Sequence, residues 1–352
     1  MHKTYFLLAL WLLAFGNCKE TKKISNAGSK QAGKITGIVA FYNVENLFDT
    51  ENDPNVADEE FLPDSQKEWT QQRYMAKLKS LTQVLDSLGK GRFPAVVGLC
   101  EVENLQVLQD LLKQARLTDT YGIVHYNSPD QRGIDVALLY NKTLFTPTHS
   151  EPLAVHFDFE PNTKTRDILY VQGSFKTETL HFFVNHWPSR RDGQQASEPK
   201  RLAAAAVARK KIDNILTANP TAKIILMGDF NDEPHNNSLT TTLRAMPFFD
   251  PDAAAKNPDN LVNLMAPLAK NGLGSYNHQG NWNALDQFVV SNAFFTDKKG
   301  IRLTPADVRI YNPQWLLFTN NKGEQMPNKT YGGNKYYGGY SDHLPVVLYL
   351  RE

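Results

Sequence analysis

Cysteine is nearly absent from this chain, with two in 352 residues, Cys18 and Cys100. A disulfide framework is thereby excluded as the basis of the fold. Charge of one sign is not in excess either. The formal net charge is +1, and because Lys3 is the only charged residue of the first 18, residues 19–352 carry 37 charges of each sign. A chain that holds nucleic acid by nonspecific electrostatics shows a basic surplus, and none exists here. Zinc signatures are missing too: there is no His-x-x-x-His and no cysteine pair. Nor is there a long hydrophobic run at the N-terminus, where the apolar stretch Tyr5 to Phe15 is 11 residues, too short to span a bilayer.

That stretch suits the core of a signal peptide, following the short basic start Met1-His2-Lys3. It ends at Phe15-Gly16-Asn17-Cys18, which resembles a bacterial lipoprotein processing box with Cys18 as the lipidated residue, although Asn17 stands where a small residue is expected. An ordinary cleaved secretion signal with a coincidental cysteine is the alternative. Residues 19–33, rich in Lys, Ser and Gly, read as a flexible tether. The expected location is therefore the cell envelope, with a lipid anchor as the only membrane contact. With Cys18 acylated, Cys100 has no partner, and behind Val96-Val97-Gly98-Leu99 it reads as a small buried hydrophobe.

What is present is a hydrophobic content of 41% and a charged content of 21%, the balance of a folded globular chain. No composition shift divides residues 34–352, so one domain is expected there. Strand patterns occur at 35–42, 95–100, 121–126, 134–140, 167–175, 179–187, 222–228, 285–291 and 344–350. Helical spacing occurs at 68–89, where Tyr74, Leu78, Leu81, Leu85 and Leu88 share a face, at 105–116 behind a cap at Asn104, and at 200–218. Many strands with few, irregularly interleaved helices predict a four-layer α/β sandwich: two mixed sheets face to face, flanked by helices. Two polar loops stand out. Residues 49–64 hold seven acids, but Pro54 occupies the position where a calcium loop needs glycine, leaving at most a weak cation site. Residues 319–340, rich in Gly, Asn and Tyr, are expected to be a mobile, substrate-facing loop.

The strands carry polar clusters at their ends. Asn43 and Glu45 follow the strand ending at Tyr42, Glu101 follows Cys100, His186 closes the strand from 179, and Asp229 and Asn231 follow 222–228. Asp286 and Asp342-His343 instead open the last two strands. All six clusters meet on one rim if those two strands run antiparallel to the others. Such a rim offers carboxylates, carboxamides and two histidines, an oxygen-rich set that suits Mg²⁺ or Mn²⁺. It also fits metal-assisted attack of water on a phosphate ester. Each residue has a plainer reading. Asp229 and Asn231 serve as turn chemistry, Glu101 as a surface acid, His186-Trp187-Pro188 as an aromatic corner, and Asp286 as an isolated charge.

Phe41-Tyr42-Asn43-Val44-Glu45-Asn46, Gly98-Leu99-Cys100-Glu101-Val102-Glu103, Val184-Asn185-His186-Trp187, Gly228-Asp229-Phe230-Asn231-Asp232 and Ser341-Asp342-His343-Leu344-Pro345 occur in that order. Together they resemble the endonuclease/exonuclease/phosphatase superfamily, the DNase I-like enzymes, over essentially all of residues 34–352. The resemblance implies the same sandwich fold and specific roles. Glu101 matches the principal metal ligand, with Asn43 and Glu45 near metal and scissile phosphate and Asp342 as a further metal-proximal acid. Asp229 matches the residue that activates water, and Asn231 its phosphate-holding neighbour. His343 matches the phosphate-contacting histidine, paired with an acid placed at Asp286, and His186 a second histidine. Arg166 and Arg190 are candidate phosphate clamps, Arg191 a weaker one, and Asp135 is read as structural.

The expectation is a divalent-metal-dependent phosphoesterase, first a phosphodiesterase of endonuclease type, next a phosphomonoesterase or a sphingomyelinase-like phospholipid diesterase. A surface-binding lipoprotein on a retired hydrolase scaffold is the rival of another class. The acids of 49–64 count against a polyanion if they border the cleft. No sign of oligomerisation or of a protein partner appears, and a monomer is expected.

Overall fold

A computed structural model describes Met1, residues 33–89 and residues 93–352. The leader, the tether and Cys18 lie outside the described residues, apart from Met1 and Gly33. Residues Lys34–Glu352 form one compact unit. In chain order its main elements are β1 (Ile35–Leu47), α1 (Gln71–Leu88), β2 (Val96–Val102), α2 (Leu105–Gln114), β3 (Tyr121–His125), β4 (Asp135–Asn141) and β5 (Phe145–Leu153). They continue with β6 (Ile168–Phe175), β7 (Glu178–His186), α3 (Gln194–Ala218), β8 (Lys223–Asp229), β9 (Ala245–Met246) and β10 (Leu261–Asn263). Last come β11 (Tyr276–His278), β12 (Asn281–Asn283), β13 (Asp286–Ser291), β14 (Val308–Ile310) and a final strand, Val346–Arg351.

Two mixed sheets result. One runs β14, final strand, β1, β2, β4, β3, and the other β5, β6, β7, β8, β13, β10, β9. Side-chain alternation along the central strands sorts residues between two hydrophobic layers. From β1, Val39 and Phe41 enter the core between the sheets with Cys100, Phe182, Met227 and Phe288, whereas Ala40 and Tyr42 face α1 and α2 through Leu78, Leu81, Leu108 and Leu111. Behind the second sheet, Phe183, Ile224 and Leu226 meet Ala204, Ala205, Ala208 and Ile212 of α3, whose small residues let the helix lie close. Helix, sheet, sheet, helix is the expected four-layer sandwich.

Strand directions decide where the polar clusters go. β1 and β2 are parallel, as are β7 and β8. β13 is antiparallel to β8 with Asp286 opposite Asp229, and the final strand is antiparallel to β1 with Val346 opposite Phe41. The condition for a shared rim is therefore met.

Three readings need correction. β5 was absent from the expected strands because Pro147 and Pro152 break its pattern; it is the edge of its sheet, where a missing N–H costs no ladder bond. α3 begins at Gln194 rather than 200 and carries Pro199 inside it, its first turn braced by Ser197 Oγ and Arg201 Nη2 bonding the carbonyls of Gly193 and Gln194. The 319–340 segment, expected to face substrate, does not border the rim cavity. Its Tyr331, Tyr336 and Tyr340 pack into the layer beneath α1.

Candidate active site

The rim is built where strand pairing breaks. Register between β1 and β2 slips from Asn43 to Leu47, and between β2 and β4 from Cys100 to Val102. Bulges of this kind re-aim side chains. Glu45 (φ 52°), Asn46 (φ 53°), Glu101 (φ 60°) and Asn231 (φ 49°) all adopt left-handed backbone. Such conformations cost roughly 1–3 kcal/mol each and persist where surrounding bonds hold them. Those bonds are visible: Asn46 N donates to Glu101 Oε2 (3.0 Å), and Asn231 N to Asp229 Oδ1 (2.9 Å).

Glu101, His186, Arg190, Asp229, Asn231, Asp342 and His343 line one cavity of ≈ 610 Å³. Asn43 lies beneath it and ties two acids together, its Nδ2 donating to Asp229 Oδ2 (3.1 Å) and Glu101 Oε1 (3.4 Å). Asp286 stands behind His343, its Oδ2 2.7 Å from Nδ1, while Nε2 is 3.8 Å from Asp229 Oδ2. Ser275 Oγ and Asp286 Oδ2 are also bonded, which fixes the acid from the other side. Ser341 Oγ donates to Asn43 O and accepts from His343 N, locking the final cluster onto β1. His186 Nε2 is 3.8 Å from Glu101 and 3.9 Å from Asp229.

The electrostatics divides the histidines. Burial opposes charging of His343, but Asp286 and Asp229 outweigh it and hold the imidazole well above its ordinary basicity. Burial, with Arg166 and Arg132 nearby, pushes His186 well below its ordinary value, so it is neutral. Burial and the neighbouring acids raise Asp229 to about 6 and Asp342 to about 7.

A hard cation fits this donor set. The carboxylates of Glu101 and Asp342 line the same cavity, Asn43 turns its Nδ2 toward Glu101 while its Oδ1 accepts from Glu45 N (3.0 Å), and Asp342 accepts no hydrogen bond among the described residues. A carboxylate crowded until it resists ionising, as Asp342 is, is what a divalent cation relieves. Asp229, Asp286 and His343 also place ligand atoms within 4.8 Å of one another. Asp286 Oδ2 is bonded to His343 and Ser275, which makes the trio a hydrogen-bonded relay, while its buried Oδ1 has no partner among the described residues.

Two expected residues face elsewhere. Glu45 spends its carboxylate on the backbone N–H groups of Thr330 (2.6 Å) and Tyr331 (3.0 Å), fastening that segment to the end of β1. Arg166 spends its guanidinium on Asp130 Oδ2, His186 O and Trp187 O, so it is a strut, not a phosphate clamp. Arg190 does line the cavity, with Nε bonded to Asn231 O. Asp135 is structural: His125 Nε2 and Ser128 N both contact it. In the acidic loop, Asp49, Asp53 and Asp58 each accept a backbone N–H, and no residue of that loop lines this cavity. Sequence reasoning missed Arg132 and Tyr276, which do line it, Tyr276 with its ring 4.8 Å from that of His343. β4 runs antiparallel to β2, so the residues before it belong to the rim by the same rule that placed Asp286; applied there, the rule points to Arg132.

A model of the Endonuclease/Exonuclease/phosphatase family matches residues 38–352. The chain belongs to that family. Among solved structures, truncated TDP2 from Caenorhabditis elegans aligns at TM-score 0.53 and 14% identity, covering 90% of this chain and 98% of that one. A mannosyl-6-phosphatase from Bacteroides thetaiotaomicron aligns at 0.54 and 15%, covering 90% and 99%. The human Nocturnin catalytic domain with bound sulfate aligns at 0.52 and 16%, covering 89% and 93%. At such identities these structures show the shared fold. No curated protein matches the chain in a sequence comparison. The family is one of phosphoester hydrolases, and this member keeps the resembling motifs together on one rim.

Proposed function

We propose that the protein is a divalent-metal-dependent phosphoester hydrolase, with phosphodiesters as its leading substrate class. The observation that carries this reading is the His343–Asp286 pair facing Asp229 and Glu101 across one cavity. Glu101 and Asp342 would hold Mg²⁺ or Mn²⁺, which when bound supplies charge neutralisation at the scissile phosphate, and Asn43 Nδ2 steadies Glu101. Asp229, steadied by Asn43 Nδ2 and Asn231 N, accepts the proton of the attacking water at its carboxylate. His343 donates from Nε2 to the phosphoryl oxygens as charge builds there, while Asp286 fixes the ring through Nδ1. Neutral His186 fills the gap between Glu101 and Asp229 without adding charge.

One observation favours phosphomonoesters as a second reading. Arg132, Arg190 and Arg191 all line the cavity, and three guanidinium groups suit a dianion better than a diester. Hydrolysis of plasmid DNA, RNA, bis-p-nitrophenyl phosphate, p-nitrophenyl phosphate and sphingomyelin with Mg²⁺, Mn²⁺ or EDTA separates these cases. Metal-dependent cleavage of diesters supports the first reading, and activity confined to p-nitrophenyl phosphate supports the second. An inactive chain with every metal leaves the binding scaffold.

We also propose export and acylation at Cys18, on the strength of the leader pattern and the Gly16-Asn17-Cys18 box. Labelled palmitate should enter the wild-type chain and not Cys18→Ser. Equal labelling of both sinks the idea.

A further inference from the structure

Beside the catalytic cavity lies a second one of ≈ 360 Å³, and the two share Arg132, Ser189 and Arg191 in their walls. Its charge leans positive. Five cationic side chains line it, Arg132, Lys164, Arg166, Arg191 and Lys200, against two acids, Asp130 and Asp192. That is a local surplus in a chain whose overall charge is +1. Some of these cations are committed: Arg166 to Asp130 at 3.0 Å, and Lys200 to Glu160 at 2.9 Å. Lys164 and Arg191 make no ion pair among the described residues and stand exposed at the wall. In the same wall the hydroxyl of Thr165, a residue only 3% exposed, is buried with no hydrogen-bond partner. A buried hydroxyl left unpaired is destabilising unless something accepts from it. A concave wall of unpaired cations and a free hydroxyl is what an oxyanion requires.

We propose that this second cavity is a subsite for a further phosphate group of the substrate, held by Lys164, Arg191 and Thr165 while the scissile phosphate lies among Glu101, Asp229 and His343. The inference rests on the phosphoester-hydrolase reading and narrows it to substrates carrying at least two phosphates. Two sources share that chemistry, the successive phosphates of a nucleic-acid strand and a second phosphate on a small molecule.

The test compares the full wild-type chain with Lys164→Gln and Lys164→Glu, substitutions at an exposed residue outside the catalytic cavity. Substrates are thymidine 5′-p-nitrophenyl phosphate, its 3′-phosphorylated derivative, and a short oligothymidylate. With a single-phosphate substrate, kcat/KM should stay within about twofold of wild type, while loss of one exposed ionic contact lowers it roughly fivefold on a substrate that fills the subsite, and further in Lys164→Glu. Loss on the oligonucleotide alone identifies a strand, and loss on the 3′-phosphorylated nucleoside alone identifies a small bisphosphate. Equal change on all three, or none, overturns the subsite. If the wild type hydrolyses none of them, the nucleotide-phosphodiester reading fails separately. Calorimetric titration with inorganic pyrophosphate then decides the subsite: weaker binding in Lys164→Glu supports it, and unchanged affinity overturns it.

Discussion

Single side chains at the rim were readable wherever a strand end and a polar residue coincided, because a sheet's edge fixes both position and direction. Partners distant in sequence were not. Glu45 carries the same pattern as Glu101, yet Thr330 and Tyr331, which claim its carboxylate, lie 285 and 286 residues away. The His343–Asp286 pair yields a sharp expectation. Asp286→Asn preserves volume but removes the anion that orients and charges the ring. We expect kcat to fall about ten-thousandfold, the scale seen when a histidine loses its orienting acid, with little change in Tm. A pH–rate profile and a thermal melt check it, and an unchanged kcat would refute the assigned role. Asp342 gives a second expectation, about stability. Its folded value near 7 exceeds the ordinary 3.8, so the folded chain holds a proton that the unfolded chain releases between about pH 4 and 7. Stability without metal therefore falls as pH rises through that window, and the cost is fully present above it. Asp342→Asn removes this dependence. In EDTA its Tm should drop less than that of wild type between pH 5 and 8, and an identical slope in both proteins contradicts the raised value.

Elements were legible in proportion to how completely they are buried. β1, β2, β7 and β8 are covered on both faces, so their apolar runs are unbroken and the pattern is unambiguous. β5 is an edge with two prolines, and β9 and β10 span two and three residues, too short to show a period. The parallel pair β7–β8 shows how element packing sets site geometry. A side chain at Gly228 would place its Cβ 2.5 Å from both the Cβ and the carbonyl oxygen of Asn185, on the neighbouring strand. Asn185 cannot yield, because its amide bonds Met227 O and its oxygen accepts from Trp187 Nε1. Gly228→Ala must therefore spread β7 from β8, and Asp229 moves with it. Overpacking of this sort costs about 1–3 kcal/mol. We expect a Tm several degrees lower and kcat reduced by at least about tenfold, since misplacing a catalytic group by an ångström is enough. Melting and steady-state kinetics on the same preparation test both halves, and wild-type values for either count against the packing argument.

At the scale of the whole molecule, a nearly neutral chain concentrates its carboxylates where four strand ends meet. Net charge conceals this, as Glu101, Asp229, Asp286 and Asp342 are balanced by lysines and arginines over the chain, Arg132, Arg190 and Arg191 in the same cavity among them. The fold thus holds a set of like charges together at its own cost, the usual trade between stability and activity at functional sites. A bound divalent cation should repay that cost globally, because only the folded chain assembles the donors. Ligand at a hundred times its Kd adds about 2.7 kcal/mol. For a domain of this size each kcal/mol shifts Tm by roughly 2 °C, so saturating Mg²⁺ or Mn²⁺ should raise it by about 5 °C. The direction with pH follows from the same groups. Asp229, near 6, and Asp342, near 7, must lose their protons to face a cation, so the stabilisation grows from pH 5 to pH 8. Glu101→Gln should abolish most of it while leaving the metal-free Tm equal to or above wild type. Thermal melts with metal and with EDTA at both pH values measure each arm. A metal-independent Tm at pH 8 would mean that the rim holds its acids for some purpose other than a cation, and the hydrolytic reading would fall with it.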